Sequence, residues 1–177
     1  ITKLIVWRLN LKIGKLVGPM KIKDVVIIDT DVFTDYRGDL WTVWKEGDHN
    51  LHFNHDKVST SRKNVLRGIH GDTKSHKLVS CLYGELYFVV VDNRPHSPTF
   101  KEWDWLILND RRRQQVLLPP GVGNGFVVLS NHSVFHYKWS YEGVYPDVAD
   151  QFTIKWDDKS IGIDWPIMDP ILQRRDK

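Results

Sequence analysis

Short bursts of β-branched and aromatic residues, cut apart by Gly, Pro, Asn and Asp, run the length of this chain. No stretch of ten or more residues carries a clear 3.6-residue apolar period, so helices do not supply the core. This punctuation belongs to an all-β sandwich or barrel. It predicts strands over 24–29, 39–44, 65–70, 77–83, 85–92, 102–108, 114–118, 125–130, 133–140 and 151–156. Leu86 to Val91 is apolar without interruption, which predicts a strand covered on both faces. Gly84, between two such runs, predicts a tight hairpin, and Pro119-Pro120-Gly121 a second sharp turn. The last dozen residues, with Pro166 and Pro170, read as an extended tail lying over the barrel.

In a small barrel alternate side chains enter the lumen. On Val65–His70 this alternation puts Leu66, Gly68 and His70 on one face and Val65, Arg67 and Ile69 on the other. On Ser133–Ser140 it groups Phe135, Tyr137 and Trp139, with the inward face left open.

The chain has 177 residues, enough for one domain. A chain of this size buries roughly 70% of the surface its unfolded form exposes and needs no disulfide or metal to fold. Cys81 is the only cysteine, which excludes an internal disulfide and fits a reducing, cytoplasmic setting. With 25 basic and 22 acidic residues the net charge is +3, better suited to a small anionic ligand than to a nucleic-acid track. Arg111, Arg112 and Arg113 form the only dense basic run, and beside Asn109-Asp110 it reads as a solvated turn. No apolar stretch approaches the roughly 20 residues of a membrane span. The first 19 residues lack a signal-peptide core, and Met20-Lys-Ile-Lys reads as a natural start. Residues 1–19 are therefore expected to be a leader or appended extension, and 20–177 a single domain.

Asn64-Val65-Leu66-Arg67-Gly68-Ile69-His70 resembles the VLRG(L/I)H motif of the dTDP-4-dehydrorhamnose 3,5-epimerase family. The likeness continues in order through Phe33–Gly38, Lys77-Leu78-Val79, Gly84-Glu85, Val91–Arg94 with Ser97–Phe100, Pro119–Phe126, Tyr137-Lys138, and Trp156–Pro166 with Pro170–Leu172. Each piece is weak alone; their shared order and spacing are specific. Within the family the chain is most similar to epimerases of GDP-4-keto-heptoses for bacterial surface polysaccharides. The resemblance rests on Arg67–Asp72 (RGIHGD), His55-Asp56-Lys57 and Asp150–Thr153 (DQFT). Rhamnose-pathway enzymes usually carry RGLHYQ and QDN at the first two places. The chain also departs from them at Thr42, where an acidic residue is usual, and at Asn124, where a histidine is usual.

The resemblance implies a cupin, or jelly-roll, barrel of two antiparallel sheets with a short C-terminal tail. It implies a homodimer with N-terminal strands contributing across the interface, and chemistry without a cofactor. Epimerisation beside a ketone removes a proton from carbon, forms an enolate and returns a proton to the opposite face. A base of near-neutral pKa and donors for the enolate oxygen are required. By resemblance His70 is the base, Asp176 its orienting carboxylate, Tyr137 the opposing acid and Lys77 the enolate support. Arg67 and Arg37 are implied to meet the diphosphate or sugar, and Phe33 and Tyr141 the nucleotide end. His55, Lys57, Asp72 and Asn124 are implied to mark the subfamily's ligand. If Asp176 is the partner, the extreme C-terminus folds back onto the site.

Metal-binding cupins show two close histidines, a glutamate and a later histidine. Here His70 and His76 stand six apart and the later position is Asn124, so no metal is expected. The substrate expected is a nucleotide-diphosphate 4-keto sugar, inverted at C3 or at both C3 and C5. A sugar-nucleotide 3,4-ketoisomerase, or a binding module without catalysis, are the competing readings.

Overall fold

The computed structural model describes residues 15–177. Thirteen strands are formed among them: β1 (Lys15–Pro19), β2 (Val26–Asp29), β3 (Val32–Asp35), β4 (Gly38–Trp41), β5 (His55–Arg62), β6 (Leu66–Gly71), β7 (His76–Tyr83), β8 (Glu85–Asp92), β9 (Trp103–Asn109), β10 (Gln114–Leu118), β11 (Val122–Val128), β12 (His132–Ser140) and β13 (Phe152–Thr153). One sheet runs β1-β2-β10-β7-β12-β5 and the other β13-β6-β11-β8-β9, with every pair inside them antiparallel. β3 and β4 pair only with each other. This is the all-β, two-sheet cupin barrel the punctuation and the resemblance implied. Residues 1–14 of the extension lie outside the described residues, but Lys15–Pro19 pairs with β2 and so extends the six-stranded sheet.

β8 shows why its run of apolar residues is unbroken. Leu86, Phe88 and Val90 enter the core between the sheets, where they meet Val79, Leu108, Phe126 and Phe135. Tyr87, Val89 and Val91 face the other way, under Trp156, Ile163 and Trp165 of the tail. Full burial of one such side chain contributes about 1.5–3 kcal/mol, so the tail is held by a second core rather than by surface contacts. A third cluster, with Phe53, Leu78 and Leu117, closes the outer face of the six-stranded sheet.

Gly84 does not turn a hairpin. β7 and β8 lie in different sheets, and Gly84 (φ +84°) carries the chain across the corner between them. A Cβ there would meet His132 O at 2.2 Å. The expected 151–156 strand shrinks to Phe152–Thr153, and 39–44 to Gly38–Trp41. β3 and β5 carry no apolar alternation that would have announced them. In β5 the half-buried positions are His55, Lys57 and Ser59, all polar.

The largest departure is in β6. Leu66 and Ile69 pack beneath the tail, whereas Arg67 and His70 both turn to the barrel interior. The pairing to β11 explains it: His70 lies opposite Asn124 and Arg67 opposite Phe126, so Gly68 and Ile69 on β6 face Gly125 alone on β11. That is a β-bulge, and it reverses the alternation within the strand. Gly68 sits in it at φ +111°, and a Cβ there would lie 2.6 Å from both Asn124 O and Gly125 Cα. The expected grouping of Leu66 with His70 is therefore wrong, because the bulge inserts one residue between them. Gly68→Ala should lower stability by about 2 kcal/mol or more, since positive φ and a clash with backbone act together. A denaturation midpoint equal to that of the parent protein would refute this account of the strand.

Candidate active site

Between the sheets a cavity of about 220 Å³ is lined by residues from both walls. His70, Arg67 and Asn124 come from the five-stranded sheet, and Lys57, Lys77, Tyr137 and Trp139 from the six-stranded sheet. Phe135, Tyr137 and Trp139 all line it, which identifies the inward face of β12. The opposite face carries His136 and Lys138, each 2.5 Å from a carboxylate oxygen of Asp56.

His70 is flanked in its sheet by Asn124 on one side and Thr153 on the other. Its Nε2 lies 2.7 Å from Asp176 Oδ1, and the Asp176 side chain is fully buried. The distance is that of an ion pair, while the angle falls outside hydrogen-bond geometry; among the described residues no donor bonds either Asp176 oxygen. A buried carboxylate this sparsely partnered is costly unless a positive charge forms beside it. His70 Nδ1 lies 3.2 Å from Thr153 Oγ1. Asp176 arrives there because the tail, after crossing the outer face of the five-stranded sheet, bonds β6 through Leu66 N to Ile171 O. It then closes in a 3-10 turn at Arg174–Asp176.

Tyr137 faces the cavity from β12, directly across from Lys57 on β5. Burial raises its phenol pKa, with the Lys57 charge acting in the opposite sense, so the group stays protonated and able to donate at neutral pH. Lys77 is almost wholly buried, its ammonium 4.3 Å from the Trp139 ring centroid and 3.7 Å from Asp72 Oδ2. Burial pulls its pKa down to about 8, and the Asp72 charge limits the fall. Arg67 is held by Ser61 Oγ at 2.9 Å and Thr60 O at 3.3 Å, which ties its guanidinium to β5.

Other expected site residues lie elsewhere. Asp72 is buried behind Lys77, with Oδ1 accepting from the backbone of Lys74 and Ser75, and does not line the cavity. His55 and Tyr141 also stand outside the lining: the His55 ring lies 4.3 Å from that of Tyr145, and its Nδ1 is 3.4 Å from the Tyr141 hydroxyl. Arg37 and Phe33 belong to the β3–β4 hairpin, where Arg37 pairs with Asp35 and the Phe33 side chain is exposed. They border a separate concavity of the hairpin, because β3 and β4 pair with neither sheet. The structure adds residues the sequence did not single out: Ser59, Tyr145, Asp147 and Arg175 all line the cavity, as does Gln151 of the DQFT segment. Their only signal was nearness to motif residues. Among the described residues no cluster of three or more His, Cys, Asp or Glu is placed to hold a metal ion.

An imidazole and a phenol on facing walls, with an ammonium beside them, can take a proton from one side of a carbon and return one to the other. Together with the two-sheet barrel, this defines a cupin-type enzyme of the isomerase class. Residues 19–177 match the model of the dTDP-4-dehydrorhamnose 3,5-epimerase family. A dTDP-4-dehydrorhamnose 3,5-epimerase of Salmonella typhimurium is 36% identical over 165 residues, 88% of each chain. The crystal structure of a Legionella pneumophila dTDP-6-deoxy-D-glucose-3,5-epimerase in complex with dTDP-4-keto-L-rhamnose aligns with TM-score 0.84 at 32% identity, over 92% of this chain and 89% of that one. A 3'-monoepimerase of Streptomyces bikiniensis in complex with dTDP-quinovose aligns with TM-score 0.82 at 28% identity, over 90% and 84%. This chain belongs to the dTDP-4-dehydrorhamnose 3,5-epimerase family, and it is an epimerase.

The buried lysine makes a prediction that needs no substrate. The Lys77 ammonium should lose its proton as pH rises through about 8, and Asp72→Asn should move that midpoint lower still, because the raising charge is gone. Since the folded value lies below the unfolded 10.5, this group adds to stability as pH climbs between the two. An NMR titration of the lysine side chain that gives a midpoint near 10.5 would contradict this.

Proposed function

We propose that this protein inverts C3, or both C3 and C5, of a nucleotide-diphosphate 4-keto sugar. The observation that carries the reading is the His70–Asp176 contact on one wall of a cavity whose facing wall presents Tyr137. His70 takes the proton next to the ketone, and Asp176 balances the imidazolium that forms. Lys77 supports the enolate oxygen, an effect of about 3–4 kcal/mol for one such donor. Tyr137 returns a proton to the opposite face. Arg67, Lys57, Lys77 and Arg175 line the cavity against one carboxylate, Asp147, a balance that favours an anionic diphosphate sugar.

For the nucleotide and sugar, the sequence favours a GDP-4-keto-heptose over dTDP-4-keto-6-deoxyglucose, in synthesis of capsule or lipopolysaccharide sugars in the cytoplasm. The three segments that carry this likeness converge in space. Lys57 lines the cavity from β5, Asp72 backs Lys77 at the end of β6, and Thr153 stands beside His70 on β13. The Salmonella typhimurium relative is named for a dTDP sugar. The β3–β4 hairpin, tied to the body of the chain by Arg113 on Asp39 and Trp41 but with Phe33 and Leu40 each 71% exposed and Tyr36 97%, supports a homodimer in which this hairpin carries Phe33 and Arg37 to the partner copy.

In deuterium oxide the enzyme should place label at C3, or at C3 and C5, of its 4-keto substrate; no label at either carbon would remove the epimerase reading. His70→Ala should abolish exchange at both positions, and near-normal exchange in that variant would reject His70 as the base. Asp176→Asn should slow turnover by about 10²–10⁴-fold, measured as initial rate. A thermal-shift panel of GDP and dTDP should show the larger stabilisation with GDP; a larger shift with dTDP would reverse the choice of nucleotide.

A further inference from the structure

Strands β5, β7 and β12 each carry one lysine, and the three are not equivalent. Lys138 turns to the outer face and pairs with Asp56, and Lys77 lies 3.7 Å from Asp72. Lys57 lines the cavity and, among the described residues, makes no ion pair. Its ammonium sits among aromatic rings instead. It donates to the Tyr145 hydroxyl and lies 4.4 Å from the centroid of that ring and 5.7 Å from that of Trp139. The His55 ring, 4.3 Å from Tyr145, braces this arrangement. A half-buried cation without a carboxylate is costly to hold, so its counter-charge has to come from the working cavity.

The register says where that charge arises. Directly opposed residues of an antiparallel pair present their side chains on the same face. Trp139 stands between Lys77 of β7 and His55 of β5, and Tyr137 between Val79 and Lys57. Of the two cross-strand neighbours of Tyr137, one is therefore a buried apolar residue and the other is Lys57.

We infer that Lys57 balances the negative charge that appears on Tyr137 when the phenol gives up its proton. In that step the Tyr137 O–H bond breaks and the enolate's electron pair forms the new C–H bond. The ketone is restored, and the O–H pair stays on the phenolate oxygen. A phenolate in a cavity filled by sugar is expensive, and a fixed cation beside it lowers the cost as the charge develops. Burial raises the Tyr137 pKa, and Lys57 is the strongest charge acting against that rise, with Tyr145 adding to it and Arg67 opposing it. His70 faces the cavity from β6, Arg175 from the C-terminal turn and Asp147 from the segment after β12. After the product leaves, water takes one proton from the imidazolium and returns one to the phenolate, so no net proton is gained or lost. The two cavity lysines divide the work: Lys77 meets the charge on the sugar oxygen, and Lys57 the charge on Tyr137. Lys57 does not touch the reacting carbon; it is a positioning residue that acts through Tyr137.

This inference rests on the epimerase reading above, and the two arms of its test separate them. Lys57→Met and Lys57→Gln both remove the charge, so that a packing defect of one does not imitate the loss; Lys57→Arg keeps it. The first arm needs no substrate. Difluorotyrosine is placed at position 137 and titrated by fluorine NMR in the parent protein and each variant. Both neutral variants should raise its midpoint by about half a unit or more, and Arg should hold it nearer the parent value. A midpoint unmoved in both neutral variants overturns the pairing and leaves the epimerase reading standing. The second arm compares single-turnover rate and KM on whichever of dTDP-4-keto-6-deoxyglucose or the GDP-4-keto-heptose the parent turns over. The neutral variants should lose about tenfold or more in rate while KM moves less than about threefold, and Arg should recover most of the loss. A raised KM with an unchanged rate makes Lys57 a diphosphate contact alone and overturns the inference. Absence of turnover by the parent on both substrates overturns the epimerase reading and this role with it.

Discussion

Arg67 and His70 are separated by two residues on one strand, an odd spacing that in a regular strand sends them to opposite faces. Both reach the same cavity because β6 carries a bulge against β11. Gly68 makes the bulge feasible: it takes a positive φ and lies so close to Asn124 and Gly125 that no side chain fits. The chain thereby keeps Leu66 and Ile69 under the tail while turning a guanidinium and an imidazole inward. Hydrophobic burial on one side of the strand and chemistry on the other are reconciled by one inserted residue.

The tail is the second constraint. Its apolar residues cover the outer face of the five-stranded sheet, and that burial delivers Asp176 to a buried position next to His70. A carboxylate there is expensive by itself, since neither oxygen receives a hydrogen bond from the described residues. Packing of the tail outweighs that cost and keeps the charge where the imidazole can use it. Folding and the cavity are coupled in this way: whatever loosens Trp156 or Trp165 from Tyr87 and its neighbours also withdraws the carboxylate beside His70.

The six-stranded sheet supplies the opposing wall by a different logic. β5 is an edge strand whose inward positions are polar, and β12 alternates aromatic residues inward with His136 and Lys138 outward. Lys77 is kept between Trp139 and Asp72, where burial lowers its pKa and the carboxylate limits the loss. A cation held this way is dry enough to act strongly on a developing oxyanion.

Much of the barrel was legible in advance. Apolar runs such as Leu86–Val91 report burial directly, and the ordered motifs around His70, Lys77 and Tyr137 pointed to the residues that do line the cavity. β5 was not legible, because a strand whose half-buried positions are polar shows no hydrophobic period. The hairpin expected at Gly84 was misplaced because a glycine marks a turn but not which sheet the chain enters next. Local composition thus determined that the chain is a β-barrel and which residue types its chemistry can draw on. Only the tertiary structure decided which of them meet: the bulge that turns Arg67 and His70 the same way, the tail that brings Asp176 across the chain, and the register that sets Thr153 beside His70. Each depends on pairing between distant segments, and pairing is a property of the packed whole that no single stretch of sequence contains.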